Sequence, residues 1–400
     1  MKILGIIAEY NPFHNGHKYH IQKAKEVTGA DFVVVVMSGN FTQTGNVAIY
    51  DKFSRAKIAC EYGADLVIEL PIIYTSSSAK TFAFGAIMLL NRLGIVDYIC
   101  FGSETANIDD LQSISNLLQE KNNDINTNIK LELKKGISYP KARENVLSKY
   151  LNKDQIDVIN KSNNILGIEY LEALNKLNSK IIPYCIKRES SEYNDIFPQK
   201  NSKKYTSATS IRNMIKLGKY DLIEKFVPAS SYTNILNSEP LFNEKLYKIL
   251  KYKILTTSNE ELKNISEVTE GLENKLKSEI FNSSSYEELI YNLKSKRYTM
   301  TKIRRMLINV LLGITKEQLQ YSIKNQITYA HILAIGYNGK TLLSQLSNNS
   351  HIKVITKIND NILKSLDEDI ARYVHMDILA SNIYYTLSND IINKDYTNRL

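Results

Sequence analysis

Hydrophobic and polar positions alternate along this chain in two styles, and the change from one to the other divides it. Residues 2–8 are a short apolar run, long enough for one buried strand, which breaks into a turn at Glu9-Tyr10-Asn11-Pro12-Phe13. From His14 a helical pattern with Ile21, Ala24 and Val27 on one side runs to a stop at Gly29. Residues 31–37 are continuously apolar, as in a parallel strand buried on both faces. A helix from Asp51 to about Tyr62, a strand over 64–71 stopped by Pro71, a helix over 77–93 and a strand over 97–101 follow. Helices are expected over 111–119, 140–150 and 155–177, the second with Pro140 at its first position, then a fifth strand over 180–186. Strand–helix alternation of this spacing predicts an α/β fold, a Rossmann-like doubly wound parallel sheet with right-handed crossovers. Past Lys219 the short valine-rich runs give way to amphipathic helices, and 344–400 is mixed α and β by pattern. With 400 residues, ample for two or three domains, the expected division is a catalytic sheet domain over 1–218 and a mainly helical domain over 219–400.

The order strand, turn, helix places the first turn at the carboxyl end of a parallel strand, where open α/β sheets bind ligands. A helix N-terminus there offers unpaired N–H groups and partial positive charge to an anion. Gly16 lets a phosphate approach the backbone, and His14 and His17 can point at the same oxygens, donating to charge that develops at phosphorus. The plainer reading makes one histidine a cap and the other a surface residue; the strand, turn and glycine around them favour the phosphate site. Residues 38–45 form a polar loop at the next strand end, a second wall. Lys52, Arg55 and Lys57 either serve the site or solvate a helix face. Gly102-Ser103-Glu104 reaches the same sheet edge, as do Lys187 and Arg188, where a phosphate- or adenine-facing arginine belongs. Ser207-Ala208-Thr209-Ser210-Ile211-Arg212 opens a helix with hydroxyls and an arginine for phosphates, although Thr209 or Ser210 alone would serve as a plain cap.

The chain carries 51 basic and 42 acidic side chains, net +9, and residues 201–400 hold 28 of the former and 20 of the latter. The excess therefore lies in the helical half, which points to an anionic macromolecule as partner. Residues 294–340 contain Lys294, Lys296, Arg297, Lys302, Arg304, Arg305, Lys316, Lys324 and Lys340 against the single acid Glu317, with Tyr298, Tyr321 and Tyr329 among them. Basic side chains beside aromatics can grip a phosphate backbone and stack exposed bases, or simply keep a surface soluble. Cys60, Cys100 and Cys185 stand alone, a count that fits a reducing cytoplasm and neither a disulfide scaffold nor a zinc site. No metal-ligand set is expected. The few residues before Glu9 are too short for a signal-peptide core, and no run approaches the roughly 20 apolar residues of a membrane span. The expectation is a soluble, cytoplasmic protein with no membrane partner.

His14-Asn15-Gly16-His17 resembles the H-x-G-H signature of the nucleotidyltransferase superfamily, whose members attack the α-phosphate of ATP and release pyrophosphate. The longer string from Glu9 to His17 is narrower and resembles the bacterial tRNA(Met) cytidine acetate ligase family. Gly39-Asn40-Phe41 and Gln43 continue the likeness, but Thr44 stands where the family usually has arginine. Ser207 to Arg212 resembles the second superfamily signature, and Lys296-Arg297-Tyr298-Thr299 with Arg304-Arg305 resembles the family's C-terminal half. The resemblance implies an ATP site made by Ile7, Ala8, Glu9, Tyr10, Asn11, Pro12, Phe13, His14, Asn15, Gly16, His17, Lys18, Tyr19 and His20. Gly102, Asn163, Arg188, Ser207, Thr209, Ser210 and Arg212 complete it. It further implies His14 and His17 as catalytic groups, and Lys296, Arg297, Arg304 and Arg305 as contacts to tRNA. On this reading acetate attacks ATP, with Mg²⁺ on the phosphates, and the acetyl group passes from acetyl-adenylate to the wobble cytidine of elongator tRNA(Met). Two other readings stay open: a small-molecule adenylyltransferase of cofactor biosynthesis, which has no need of the basic 294–340 stretch, and a non-catalytic RNA-binding protein, which has no need of His14, His17 and Arg212 together.

Overall fold

A computed structural model of the chain describes residues 1–137, 139–188, 204–269 and 271–398. Its centre is a seven-stranded sheet in the order β5-β4-β1-β2-β3-β6-β7. The strands are β1 Ile3–Ala8, β2 Phe32–Ser38, β3 Leu66–Leu70, β4 Tyr98–Ser103, β5 Ile182–Lys187, β6 Ala330–Ile335 and β7 Val354–Ile355. β1 pairs in parallel with β2 on one side and β4 on the other. Chain order therefore reverses between β1 and β4, and the crevice at their carboxyl ends is the place for a ligand.

The valine run of β2 shows why the sheet is buried on both faces. Val34 and Val36 belong to the large core under the helix Ala79–Arg92, while Val33, Val35 and Met37 join the opposite cluster with Ile21 and Ala24. Those last two lie on helix α1 (Asn15–Thr28), which ends at Gly29 in a left-handed conformation, φ 61°. The α/β, mostly parallel architecture is the one the apolar periodicity predicts.

Three features differ from the sequence reading. First, the sheet does not end at residue 218. β6 pairs antiparallel with β3 (Leu66 opposite Ile335, Glu69 opposite His331), and one continuous core takes in residues from Ile3 to Leu387. The 219–400 half is mainly helical, yet it completes the sheet by covering the edge that β3 would expose. Second, the helix expected over 155–177 is two, Lys153–Ile159 and Ser162–Lys176. The second starts where the Glu104 carboxylate accepts the N–H groups of Asn163 (3.2 Å) and Asn164 (3.0 Å). An acid from the end of β4 thus does the capping that no local side chain supplies.

Third, helix α2 (Lys52–Glu61) turns its cations inward: Lys52 and Arg55 are fully buried. The Lys52 ammonium lies 2.7 Å from Glu69 and 2.6 Å from Asp395, and His331 Nδ1 meets the same Glu69 at 2.8 Å. Glu69, His331 and Asp395 are close enough to hold a metal ion, but Lys52 already occupies the space between the carboxylates. The Arg55 guanidinium donates to the carbonyls of Glu9, Ser38, Gly39 and Tyr50, so it ties the carboxyl ends of β1 and β2 together.

Candidate active site

The reversal point opens into a cavity of about 240 Å³. Its floor is the end of β1 and the turn to α1, its walls the ends of β4 and β5, the loop after β2, and the helices Ser162–Lys176 and Ala208–Lys216.

The two histidines at the start of α1 form a capping box with each other. His14 is the N-cap, and its Nδ1 accepts the Gly16 N–H at 3.0 Å; His17 Nδ1 accepts the His14 N–H at 3.2 Å. Their rings stack with centroids 3.7 Å apart. Both Nδ1 lone pairs are therefore engaged by backbone donors, which leaves each neutral ring with its proton on Nε2. The pair presents two N–H donors from a helix N-terminus, a geometry suited to an anionic oxygen. Gly16 lines the cavity and has a second reason to be glycine: a Cβ there would lie 2.8 Å from His14 Cε1, so it leaves room for the ring to fold back on the cap.

Electrostatics keep the rings neutral. Burial, with Arg188 and Arg212 adding repulsion, lowers His14 to about 3. Burial, then His14, Arg188 and His20, pushes His17 well below its ordinary value. His20, one turn further on, falls to about 4 through burial and Arg188, against a hydrogen bond to the Cys100 backbone that raises it.

The cations are held from outside the turn. Arg212 donates to the Asn11 carbonyl (2.7 Å) and to Thr209 Oγ1 (3.0 Å). Ser207, and neither Thr209 nor Ser210, caps its helix, taking the Ser210 N–H at 3.1 Å. Arg188 Nη1 donates to Asn163 Oδ1 at 2.7 Å, and Asn163 Nδ2 donates to Glu104 at 2.6 Å. Gly102 lies under the Arg188 stem, whose Cγ would be 3.0 Å from an added Cβ.

Of the expected nucleotide residues, Ile7, Ala8, Glu9, Tyr10, Asn11, His14, Gly16, His17, Tyr19, His20, Gly102, Asn163, Arg188, Ser207, Thr209 and Arg212 line this one cavity. Pro12, Phe13, Asn15, Lys18 and Ser210 do not. Phe13 stacks on Tyr62, and Lys18 sits 5.0 Å over the same ring. Asn15 Nδ2 bridges to the carbonyls of Lys204 (3.2 Å) and Lys225 (2.9 Å). These side chains build the turn without facing the cavity. The sequence reading did not single out the apolar wall of Phe82, Phe101, Leu166 and Tyr170. Leu166 and Tyr170 follow Asn163 at helical spacing, so placing Asn163 on a helix start would have indicated them.

The basic stretch divides. Lys296 and Arg297 are exposed and Arg304 is half-buried. Arg305 is buried and its Nε pairs with Glu267 at 3.3 Å, which takes it out of the basic surface. Tyr329 is also buried, donating to Asp377, so it stacks on no exposed base. Among the described residues no helix is long and apolar enough to cross a membrane.

The model of the family described as HIGH nucleotidyl transferase matches residues 1–399. The tRNA(Met) cytidine acetate ligase of Clostridium novyi is 41% identical over 392 residues, covering 96% of this chain and 97% of that one. The enzyme of the same name from Acetivibrio thermocellus is 43% identical over 399 residues, covering 96% and 94%. Among solved structures, apo Thermotoga maritima TmcAL superposes with a TM-score of 0.91 at 32% identity, covering 97% of this chain and 95% of that chain. The same protein bound with alpha-thio ATP gives 0.89 at 31% identity, covering 98% and 96%.

Proposed function

The chain belongs to the HIGH nucleotidyltransferase family, among its tRNA(Met) cytidine acetate ligases, and we propose that it catalyses the reaction those relatives are named for. ATP enters the cavity at the β1–β4 reversal with its phosphates toward α1, Arg188 and Arg212. An acetate oxygen attacks the α-phosphorus, the bond to the bridging oxygen breaks, and pyrophosphate leaves. Negative charge that builds on the α-phosphate oxygens in that step meets the Nε2–H donors of His14 and His17, already fixed by the capping box. In the second step the exocyclic amine of the wobble cytidine in elongator tRNA(Met) attacks the acetyl carbonyl carbon. The carbon–oxygen bond to AMP breaks and the acetylated cytidine forms.

Mg²⁺ is part of the nucleotide substrate here. The acid–histidine cluster elsewhere in the fold is filled by Lys52, and Glu9 is the one carboxylate among the described residues that lines the cavity. The tRNA lies along Lys296, Arg297 and Arg304, on the half that carries most of the excess charge. The cytoplasm, where tRNA is decoded, is the expected compartment.

The observation that carries this reading is the histidine capping box with two outward N–H groups inside a cavity flanked by Arg188 and Arg212. The test is incubation with ATP, labelled acetate and total tRNA, followed by nucleoside analysis. Label in N4-acetylcytidine of elongator tRNA(Met), dependent on ATP, is the expected result; label in no nucleoside refutes it. Exposed basic residues favour this over a small-molecule adenylyltransferase, which would transfer to a non-RNA acceptor in the same assay.

A further inference from the structure

The second half-reaction needs something the first does not: a group to take the proton that the cytidine amine loses as it becomes an amide. Neither capping histidine has a lone pair for this, because each Nδ1 accepts a backbone N–H and each Nε2 carries the proton. We propose that Glu9 is the proton acceptor of the acetyl-transfer step. The inference rests on the reading above and adds a residue role to it.

Four observations support the assignment. Glu9 is the only acidic side chain lining the cavity among the described residues. Its Oε1 is held by the Gln43 N–H at 2.7 Å, whereas Oε2 meets no hydrogen-bond partner among the described residues. Its position is rigid, since it directly follows the last residue of β1 and the buried Arg55 guanidinium holds its carbonyl. Finally, the groups that face it are arranged for a base. Burial raises its pKa and so strengthens the carboxylate as a proton acceptor, while the Gln43 N–H, Arg212 and Arg55 oppose that rise and favour the ionised form. Tyr170, which also lines the cavity, feels the Glu9 charge. The rival base is His20, whose Nε2 is buried with no partner. Its pKa of about 4 makes it weak, and repulsion from Arg188 opposes its taking a proton.

In the proposed step the amine nitrogen forms a bond to the acetyl carbon and a proton moves from that nitrogen to Glu9 Oε2. The carbon–oxygen bond to AMP breaks with the electron pair going to the phosphate oxygen. The Glu9 proton then leaves to solvent, and no oxidant or further reactant is needed.

The test is Glu9→Gln, which keeps an oxygen for the Gln43 N–H but cannot take a proton. Two rates are measured: acetate-dependent exchange of pyrophosphate into ATP, which reads adenylate formation, and single-turnover transfer from supplied acetyl-adenylate to tRNA across pH. General-base loss predicts a fall of about 10²-fold or more in transfer, at least about tenfold beyond whatever exchange loses through the altered nucleotide wall. The wild-type transfer rate should rise with pH through the Glu9 titration, and E9Q should lose that limb. Glu9→Asp, which retains a carboxylate, should recover the limb and part of the rate, and serves if E9Q does not fold. Equal losses in both rates, with a raised magnesium requirement, would make Glu9 a nucleotide or metal-ion contact and overturn the proposal. So would an unchanged transfer rate, or an acid limb that disappears only in His20→Gln. If the wild-type enzyme shows no acetate-dependent exchange at all, the functional reading itself fails, an outcome distinct from each of these.

Discussion

His14 does two jobs in one ring, and the structure says how to pull them apart. Its Nδ1 caps α1 by accepting the Gly16 N–H at 3.0 Å, which leaves the proton on Nε2 of a ring that lines the cavity. His14→Ala removes both. The lost cap alone should cost about 1 kcal/mol of stability. The lost donor should cost about 10²- to 10³-fold in adenylate formation, or about 2.7–4 kcal/mol of transition-state binding. His14→Asn is the informative partner. Asparagine is among the best N-caps, and its Oδ1 takes the place of Nδ1, so stability should return to near wild type. Its side chain is too short to put a donor where Nε2–H was, so the rate should stay down by about 10²-fold. Acetate-dependent pyrophosphate exchange and thermal unfolding, measured on the same preparations, separate the two effects. Should H14N recover the rate together with the stability, His14 is a cap and the transition-state argument is wrong.

Five further outcomes follow from the same structure. Because burial holds His14 near 3 and His20 near 4, kcat/KM for the exchange reaction should show no histidine limb between about pH 5.5 and 7.5. Their stability linkage has a definite sign: the unfolded imidazole binds its proton near pH 6.5 and folded His20 only near 4. Stability should therefore drop as pH falls through that window, by up to about 1.4 kcal/mol per pH unit, and His20→Gln should flatten the drop in urea titrations. Lys52→Met leaves Glu69 and Asp395 buried without their shared cation, so urea unfolding should show a loss of about 3–5 kcal/mol; a loss under 1 would mean the network relaxes at no cost. Neutralising Lys296 and Arg297 together should flatten the dependence of log affinity for tRNA on log salt by about one to two units, weakening all tRNAs alike. Arg305→Ala should leave that slope alone and lower the melting temperature, since Arg305 is paired with Glu267 inside the fold.

What the sequence disclosed and what it withheld follow from the range of the forces involved. β1 and β2 are legible because both faces of each are largely buried, so all positions but Ser38 lack a polar side chain and no tertiary knowledge is needed. The α1 start is legible because its cap, glycine and histidines lie within four residues of one another. Lys52, Arg55 and Arg305 were not. A charged residue reads as solvent-facing until its partner is known, and the partners stand at Glu69 and Asp395, at Glu9, Ser38, Gly39 and Tyr50, and at Glu267. The helix break near Lys161 depends in the same way on Glu104, 59 positions upstream of Asn163. β6 is five apolar residues and His331 after a basic helical run, and only its pairing with β3 makes it a strand. Short-range capping and two-sided burial are written locally, while ion pairs and edge strands are decided by partners elsewhere in the chain, 17 positions from Lys52 for Glu69 and 343 for Asp395.

That long-range wiring also reaches the cavity wall. The loop after β2 carries Gln43 and Thr44 into the nucleotide wall, and Gln43 holds Glu9 through its N–H. The same loop is gripped from the other half of the chain: Val47 N–H donates to Asn243 Oδ1 at 2.9 Å, and Asn243 Nδ2 to Asn46 Oδ1 at 2.6 Å. Gly45, at φ 76°, lets the backbone of Arg304 and Arg305 press against it, a contact any Cβ would block. The helix Met300–Leu312, whose first turns adjoin the exposed Lys296 and Arg297, is therefore also the backing of the active-site loop. The segment that carries Lys296 and Arg297 and the loop that holds Glu9 therefore meet directly at Gly45. A shared sheet and a shared loop thus join the two halves of the chain around the cavity in one frame.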